Sequence, residues 1–345
     1  MKKTRVLIVD DSTFIRQMFT KIISDQSDME VIATASDGID AKEKLRIFNP
    51  DVITLDIEMP GMNGLELLEK IMSLKPTPVI MVSSLTEEGA DATIKALELG
   101  AIDYVPKSSS EDFDMENMKE QLLEKIRIAA KNKKSNLVQS GPKSSKGNNE
   151  KKREFKKNIL FAIGASTGGV ESIKNVISAL PANFPPIVIT QHMPPKFTES
   201  FAKRMDGISN MRVKEAENGE VIESGTVYIA QGGRHLQIIK RNLDMACAIV
   251  NGEKVSGHIP SVDFMFEYIA KNIGKKACGV ILTGMGKDGA KGLLQMKNQG
   301  CYNIGQDEGS SIVYGMPKAA YLAGGVDKQL SLNKISEEMI ELAIK

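Results

Sequence analysis

Along residues 1–130, short apolar runs alternate with amphipathic stretches. RVLIV, VIATA, VITL, PVIMVSS and DYVP are the strand candidates, and TFIRQMFTKIIS and GLELLEKIMSL carry apolar positions at helical spacing. Strands that read as continuous apolar runs are buried on both faces. Their alternation with helices predicts a doubly wound parallel sheet. From Asn158 onward the alternation resumes. ILFAIG, PIVITQH and CGVILTG read as buried strands, and SVDFMFEYIAKNI and DGAKGLLQMKNQG as helices. GTVYIA and HLQIIK alternate apolar and polar positions more strictly, which predicts an antiparallel hairpin around QGGR. The fold class is α/β, with two doubly wound parallel-sheet domains, the second Rossmann-like.

Between them the composition changes. Lys131–Asn158 holds ten Lys or Arg against two Glu, and its only large apolar residues are Leu137, Val138 and Phe155. Such a stretch buries too little surface to fold alone and is expected to be a flexible linker. The expected boundaries are a first domain at 1–125, a basic linker at 126–157 and a second domain at 158–345. A nucleic-acid arm is the rival reading of the basic stretch. No stacking aromatics or groove helix accompany it, and a net charge of +1 supplies no field that selects nucleic acid.

The three cysteines, Cys247, Cys278 and Cys301, show no C-x-x-C spacing. Neither a disulfide framework nor a zinc site is implied, and a reducing compartment fits. The apolar run before Asp10 is too short for a signal peptide, and no window approaches the ~20 apolar residues that span a bilayer. A cytoplasmic protein without membrane insertion is expected.

Candidate chemistry in the first domain gathers where the strands end. Asp10 and Asp11 follow the first strand, Asp56 ends the third, and Lys107 follows the fifth. In an open parallel sheet, ligands bind outside the carboxyl ends of strands. Three carboxylates brought together repel unless a divalent cation joins them, and hard oxygen ligands suit Mg²⁺. A lysine adds a point charge for a phosphoryl group, and Ser83 or Ser84 offers a hydroxyl. Any one aspartate alone is an ordinary turn former or helix cap. The set at matching strand ends reads as a phosphoacceptor site.

Residues 4–125 resemble the receiver domain of two-component response regulators, through LIVDDS, LDIEMPGMNG, VSS, LGAIDYV and Lys107. The resemblance implies that Asp56 accepts a phosphoryl group from a histidine kinase, with Asp10, Asp11 and Asp56 around Mg²⁺. It implies Ser83 as the switch hydroxyl and Lys107 as the charge partner. Ser108 stands where the family usually has proline, which removes the residue that favours a cis peptide there.

In the second domain, FAIGASTGGVES admits two readings, a phosphate cradle or a nucleophile turn. Ser166 occupies the position of the second glycine in a dinucleotide G-x-G-x-x-G, and the next strand ends Thr190-Gln191-His192 with no acid for a ribose. The stretch does match G-x-S-x-G, in which small neighbours let a serine rise above the sheet. The following helix directs free N–H groups at charge forming beside Ser166. Serine needs a base, and there are three histidines, His192, His235 and His258. His192, at the end of the adjacent buried strand, is the candidate. Asp288, past another buried strand in VILTGMGKDGA, is the candidate orienting carboxylate, although an aspartate there also reads as a cap of its own helix. Met285 and Gly286 offer backbone N–H groups to an oxyanion.

The second domain resembles the catalytic domain of the chemotaxis protein-glutamate methylesterases, the CheB family. IGASTGG, QHMPPKFTESFAKR, YIAQGGRHL, HIPSVDFMF and ILTGMGKDGA carry the likeness. It implies a triad of Ser166, His192 and Asp288, with Met285 backbone in the oxyanion hole and Thr167 helping to orient the site. It implies demethylation of glutamate methyl esters and deamidation of glutamines on chemoreceptors, gated by phosphorylation of a receiver that covers the site. The esterase chemistry is expected to need no cofactor, the phosphodonor to be the chemotaxis kinase and the protein to be a monomer. Gln231 stands where the family commonly has proline, which is expected to loosen that turn. A phosphorylation-switched nucleotide-binding or transcriptional output domain is the rival from another class. No helix-turn-helix pattern follows Asn158 to favour it.

Overall fold

The computed structural model describes residues 2–107, 115–132, 154–156, 158–242 and 244–344 and falls into two units, Met1–Gln139 and Ser140–Lys345. In the first unit, β1 (Thr4–Val9), β2 (Met29–Ala35), β3 (Val52–Asp56), β4 (Val79–Ser84) and β5 (Asp103–Lys107) alternate with α1 (Thr13–Ser24), α2 (Gly38–Phe48), α3 (Gly64–Leu74), α4 (Glu87–Glu98) and α5 (Met115–Asn132). The five strands pair in parallel in the order β2-β1-β3-β4-β5. Every residue of β3 is buried, as expected of a central strand covered on both faces. Four helices start at side-chain caps: Ser12, Asp37, Asn63 and Thr86 each accept backbone N–H groups of the first turn.

The second unit is built on a seven-stranded parallel sheet. Its elements run β6 (Leu160–Ala165), α6 (Gly169–Ser178), β7 (Ile187–Gln191), α7 (Phe197–Asp206), β8 (Arg212–Glu215), β9 (Thr226–Ile229), β10 (His235–Arg241), β11 (Asp244–Val250) and α8 (Val262–Asn272). β12 (Ala277–Ile281), α9 (Ala290–Asn298), β13 (Tyr302–Gln306), α10 (Met316–Leu322), β14 (Lys328–Leu330) and α11 (Leu332–Ile344) complete it. The sheet order is β14-β13-β12-β6-β7-β9-β8. The chain runs outward from β6 through β7 on one side and returns through β12 on the other. The switch point thus lies between β6 and β12, as it lies between β1 and β3 in the first unit. At such a point the loops leave the sheet in opposite directions and open a crevice.

Two expectations are corrected. GTVYIA does not pair with HLQIIK: β9 lies inside the parallel sheet between β7 and β8 with every residue buried. β10 pairs instead with β11, antiparallel from His235 opposite Val250 to Arg241 opposite Asp244, through a turn with Asn242 at φ 59. The linker also does not begin at residue 126. Leu122, Leu123, Ile126 and Ala129 bury one stripe of α5, which therefore runs through Asn132. Near the other end of the expected linker, Phe155 packs edge-on against Phe184, and the Lys156 N–H donates to the Ala343 carbonyl at 2.9 Å. The rest of the expected linker, and Ser108, lie outside the described residues.

Candidate active site and phosphoacceptor site

At the first switch point, Asp10 follows β1, Asp56 ends β3, and both are buried. One oxygen from each of Asp10, Asp11 and Asp56 lies within 4.8 Å of the others, the donor set of a hard divalent cation. Lys107 Nζ bridges Asp10 Oδ2 at 2.8 Å and Asp56 Oδ2 at 2.7 Å. Burial and the negative charge of Asp10 push the Asp56 carboxyl up to about 6 against the pull of Lys107. Burial alone would lower the Lys107 ammonium, but its two carboxylate partners raise it above its ordinary value. The Ser83 hydroxyl is turned toward α4. It donates to the Gly89 carbonyl at 3.1 Å and accepts from Thr93 Oγ1 at 2.7 Å.

At the second switch point, β6 delivers Ser166 at its carboxyl end, and the Ser166 N–H donates to the Thr283 carbonyl at 3.0 Å. The turn into α6 is closed by Gly168 at φ 77, a conformation that disfavours side chains. A Cβ at Gly164 would lie 2.2 Å from Val262 Cγ1, so this glycine lets the start of α8 approach the strand.

Val262 matters because α8 holds Asp288. The Asp288 carboxylate accepts four bonds. Oδ1 takes Ser261 Oγ at 2.9 Å and the Asp263 N–H at 2.8 Å; Oδ2 takes the Val262 N–H at 2.8 Å and His192 Nε2 at 2.7 Å. Asp288 therefore caps α8, not the helix it precedes. The N-cap of α9 is Gly289, without a side-chain bond. Burial alone would push the Asp288 carboxyl up. The hydrogen bond and charge of His192 and the two backbone donors outweigh it, and the group lies below its ordinary value.

An ionised carboxylate only accepts, so His192 donates from Nε2. In the neutral imidazole the lone pair is then on Nδ1, which is buried and has no hydrogen-bond partner. The Ser166 hydroxyl is thus not bonded to His192 in this state. Such bonds often close only with substrate bound.

His192, after β7, and Asp288, in the loop after β12, are joined side chain to side chain. Ser166 follows β6 on the adjacent strand, where the His192 N–H donates to the Ala165 carbonyl at 3.2 Å. Thr167 is buried, and its carbonyl accepts from Thr283 Oγ1 at 3.0 Å. The Gln231 amide donates to the Ala216 carbonyl at 2.9 Å, a side-chain bond that proline could not make. The cysteines are free and buried; burial pushes the Cys247 thiol up to about 12 and the Cys301 thiol up to about 11, so neither is a competing nucleophile at neutral pH. Sequence reading missed Ser261 and its two neighbours as the holders of Asp288. SVDFMF marks a helix start, but nothing in it points to a carboxylate 25 residues downstream.

Residues 161–339 match the CheB methylesterase family and residues 6–120 the response regulator receiver domain. The protein-glutamate methylesterase/protein-glutamine glutaminase 1 of Caulobacter vibrioides is 45% identical over 344 residues, 99% of each chain. The protein-glutamate methylesterase/protein-glutamine glutaminase of Escherichia coli K12 is 46% identical over 341 residues, 99% of this chain and 97% of that one. The solved CheB methylesterase catalytic domain of Thermotoga maritima is 43% identical, with a TM-score of 0.53 over 54% of this chain and all of that one. With the family match spanning its second unit and such relatives alike along its whole length, the chain belongs to the CheB methylesterase family and carries a response regulator receiver domain ahead of the catalytic one.

Proposed function

We propose that the chain demethylates glutamate methyl esters on chemoreceptors, and deamidates glutamines there, under control of its phosphorylated receiver. The reading of the site rests most heavily on one observation. His192 is fixed through Nε2 to an ionised Asp288 and keeps its other nitrogen unpartnered, one strand from Ser166.

Ser166 Oγ attacks the ester carbonyl carbon as His192 Nδ1 takes the hydroxyl proton. The charge on the carbonyl oxygen is met by the Met285 N–H, to which no acceptor is bonded among the described residues, and by the start of α6. Asp288 stabilises the imidazolium and holds its orientation. The intermediate collapses, the Nδ1 proton passes to the leaving oxygen, and methanol departs. Water then attacks the acyl-serine as Nδ1 takes its proton. The acyl–Oγ bond breaks, Nδ1 passes that proton to Ser166 Oγ, and glutamate is released with the base restored. With glutamine as substrate the leaving group is ammonia. Thr167, between the nucleophile and the start of α6, steadies the turn.

In the receiver, Asp56 takes the phosphoryl group from the chemotaxis histidine kinase. Asp10, Asp11 and Asp56 would hold Mg²⁺, which supplies positive charge against the incoming phosphoryl oxygens. Lys107 pairs with the phosphoryl group, and Ser83 leaves its bond to Gly89 to meet it. Phosphorylation shifts a closed–open equilibrium of the catalytic domain. The proposal includes a cytoplasmic monomer; among the described residues no helix is long and apolar enough to cross a membrane.

Methanol release from methylated receptor membranes tests the reading. The full chain, its acyl-phosphate-treated form and residues 150–345 alone are expected to differ, with the untreated full chain slowest. Equal rates in all three would remove the gating step. A normal rate in Ser166→Ala would remove the nucleophile.

A further inference from the structure

The proposed reaction uses His192 and leaves His258 without a role. The two imidazoles lie face to face, with ring centroids 3.7 Å apart and planes 11° from parallel. Backbone places this ring. Val255 and His258 exchange both backbone hydrogen bonds at 3.0 Å. They close a two-residue turn in which Ser256 has φ 52 and Gly257 φ 84, the pattern of a type I′ turn.

The turn is pinned from outside. Ser256 Oγ donates to Asp263 Oδ2 at 2.7 Å, and Asp263 Oδ1 accepts the Gly292 N–H at 2.8 Å. Three residues past His258, Ser261 Oγ donates to Asp288 Oδ1 at 2.9 Å, and the Ser261 N–H donates to His235 Nδ1 at 3.3 Å. One segment, 255–263, therefore touches both halves of the His192–Asp288 pair. It meets the imidazole by a ring face and the carboxylate by hydrogen bonds.

The His192 ring has a hydrogen bond at Nε2 and none at Nδ1. A ring held at a single point can tilt and swing about it, so the direction of Nδ1 depends on packing. We infer that His258 is a positioning residue for the base: its flat ring walls one face of His192 and keeps Nδ1 turned to Ser166 while that nitrogen gains and loses a proton. The inference rests on the triad reading above. The ring acts through shape and stacking, and a misplaced base lowers kcat without altering how substrate is bound.

Methanol release from methylated receptor membranes, measured in the full chain for His258→Ala and His258→Phe, tests this. In His258→Ala, kcat is expected to fall about tenfold with KM nearly unchanged. His258→Phe, which restores a flat ring, is expected to recover most of the loss. Wild-type kcat in His258→Ala would overturn the inference, as would a change confined to KM, which marks a substrate contact. A His258→Phe variant as impaired as His258→Ala would overturn it too, since the ring nitrogens would then be what matters. Should His258→Ala fail to fold, His258→Phe decides alone: near-normal kcat sustains the role and a tenfold loss ends it. Ser166→Ala, measured alongside, separates the two readings, because a normal rate there removes the triad whatever His258 does.

Discussion

Asp288→Asn has two separable consequences. The carboxylate accepts on both oxygens, from Ser261 Oγ and the Asp263 N–H on one and from the Val262 N–H and His192 Nε2 on the other. An amide presents one oxygen and one NH₂ group. With NH₂ in the Oδ2 position it faces the Val262 N–H, and it donates to Nε2, driving the His192 proton to Nδ1 and removing the base. With NH₂ in the Oδ1 position it faces the Asp263 N–H. Either way a buried backbone donor is orphaned, at about 1–3 kcal/mol. The same substitution in a Ser-His-Asp protease lowers kcat about 10⁴-fold through the wrong tautomer, and a loss of about 10³–10⁴-fold in methanol release is expected here. The Asp288 carboxyl lies below its ordinary value in the folded protein. Its contribution to stability is therefore complete above about pH 4 and lost as pH falls through the folded value. The stability gap between wild type and Asp288→Asn, read by thermal melting, is expected to be full at pH 7 and to narrow below about pH 4. An Asp288→Asn enzyme with more than a tenth of wild-type kcat, or with wild-type melting at pH 7, would refute the reasoning.

Gly164→Ala drives a methyl group into Val262; about 1–3 kcal/mol of overpacking cost and a displaced Asp288 are expected, seen as a lower melting temperature together with reduced kcat. Lys107→Met leaves the buried Asp10 and Asp56 without their shared cation. The receiver is expected to lose about 3 kcal/mol at pH 7.5 in urea unfolding, partly restored by millimolar Mg²⁺. Mg²⁺ is expected to raise the receiver melting temperature in the wild type and chelator to reverse it, whereas Asp11→Asn, a change at an exposed carboxylate, abolishes the shift.

The features legible in the sequence are those written locally. Continuous apolar runs marked the parallel strands, because a strand buried on both faces has no polar side to show. Ser166, His192 and Asp288 are candidates by their placement at strand ends, where the topology brings loops together, and of these the structure joins His192 to Asp288. Partnerships between distant segments were not written in this way. TVYI is short and reads as alternating, yet all four of its residues are buried, because its place inside the sheet depends on neighbours that arrive from β7 and β8. The true partner of β10 lies across a turn at Asn242 that lacks the usual Asn-Gly signal. Asp288 looked like the start of its own helix. Only the close approach of α8 permitted by Gly164 shows that it caps another.

The assignment of Ser166 as the nucleophile and His192 as its base is tested most directly by a fluorophosphonate probe, with the adduct mapped by peptide mass spectrometry in wild type and His192→Ala. A single adduct on Ser166, formed in wild type and largely absent in His192→Ala, is the predicted result. An adduct on another residue, or none in a preparation that releases methanol from receptor membranes at a normal rate, would contradict the account.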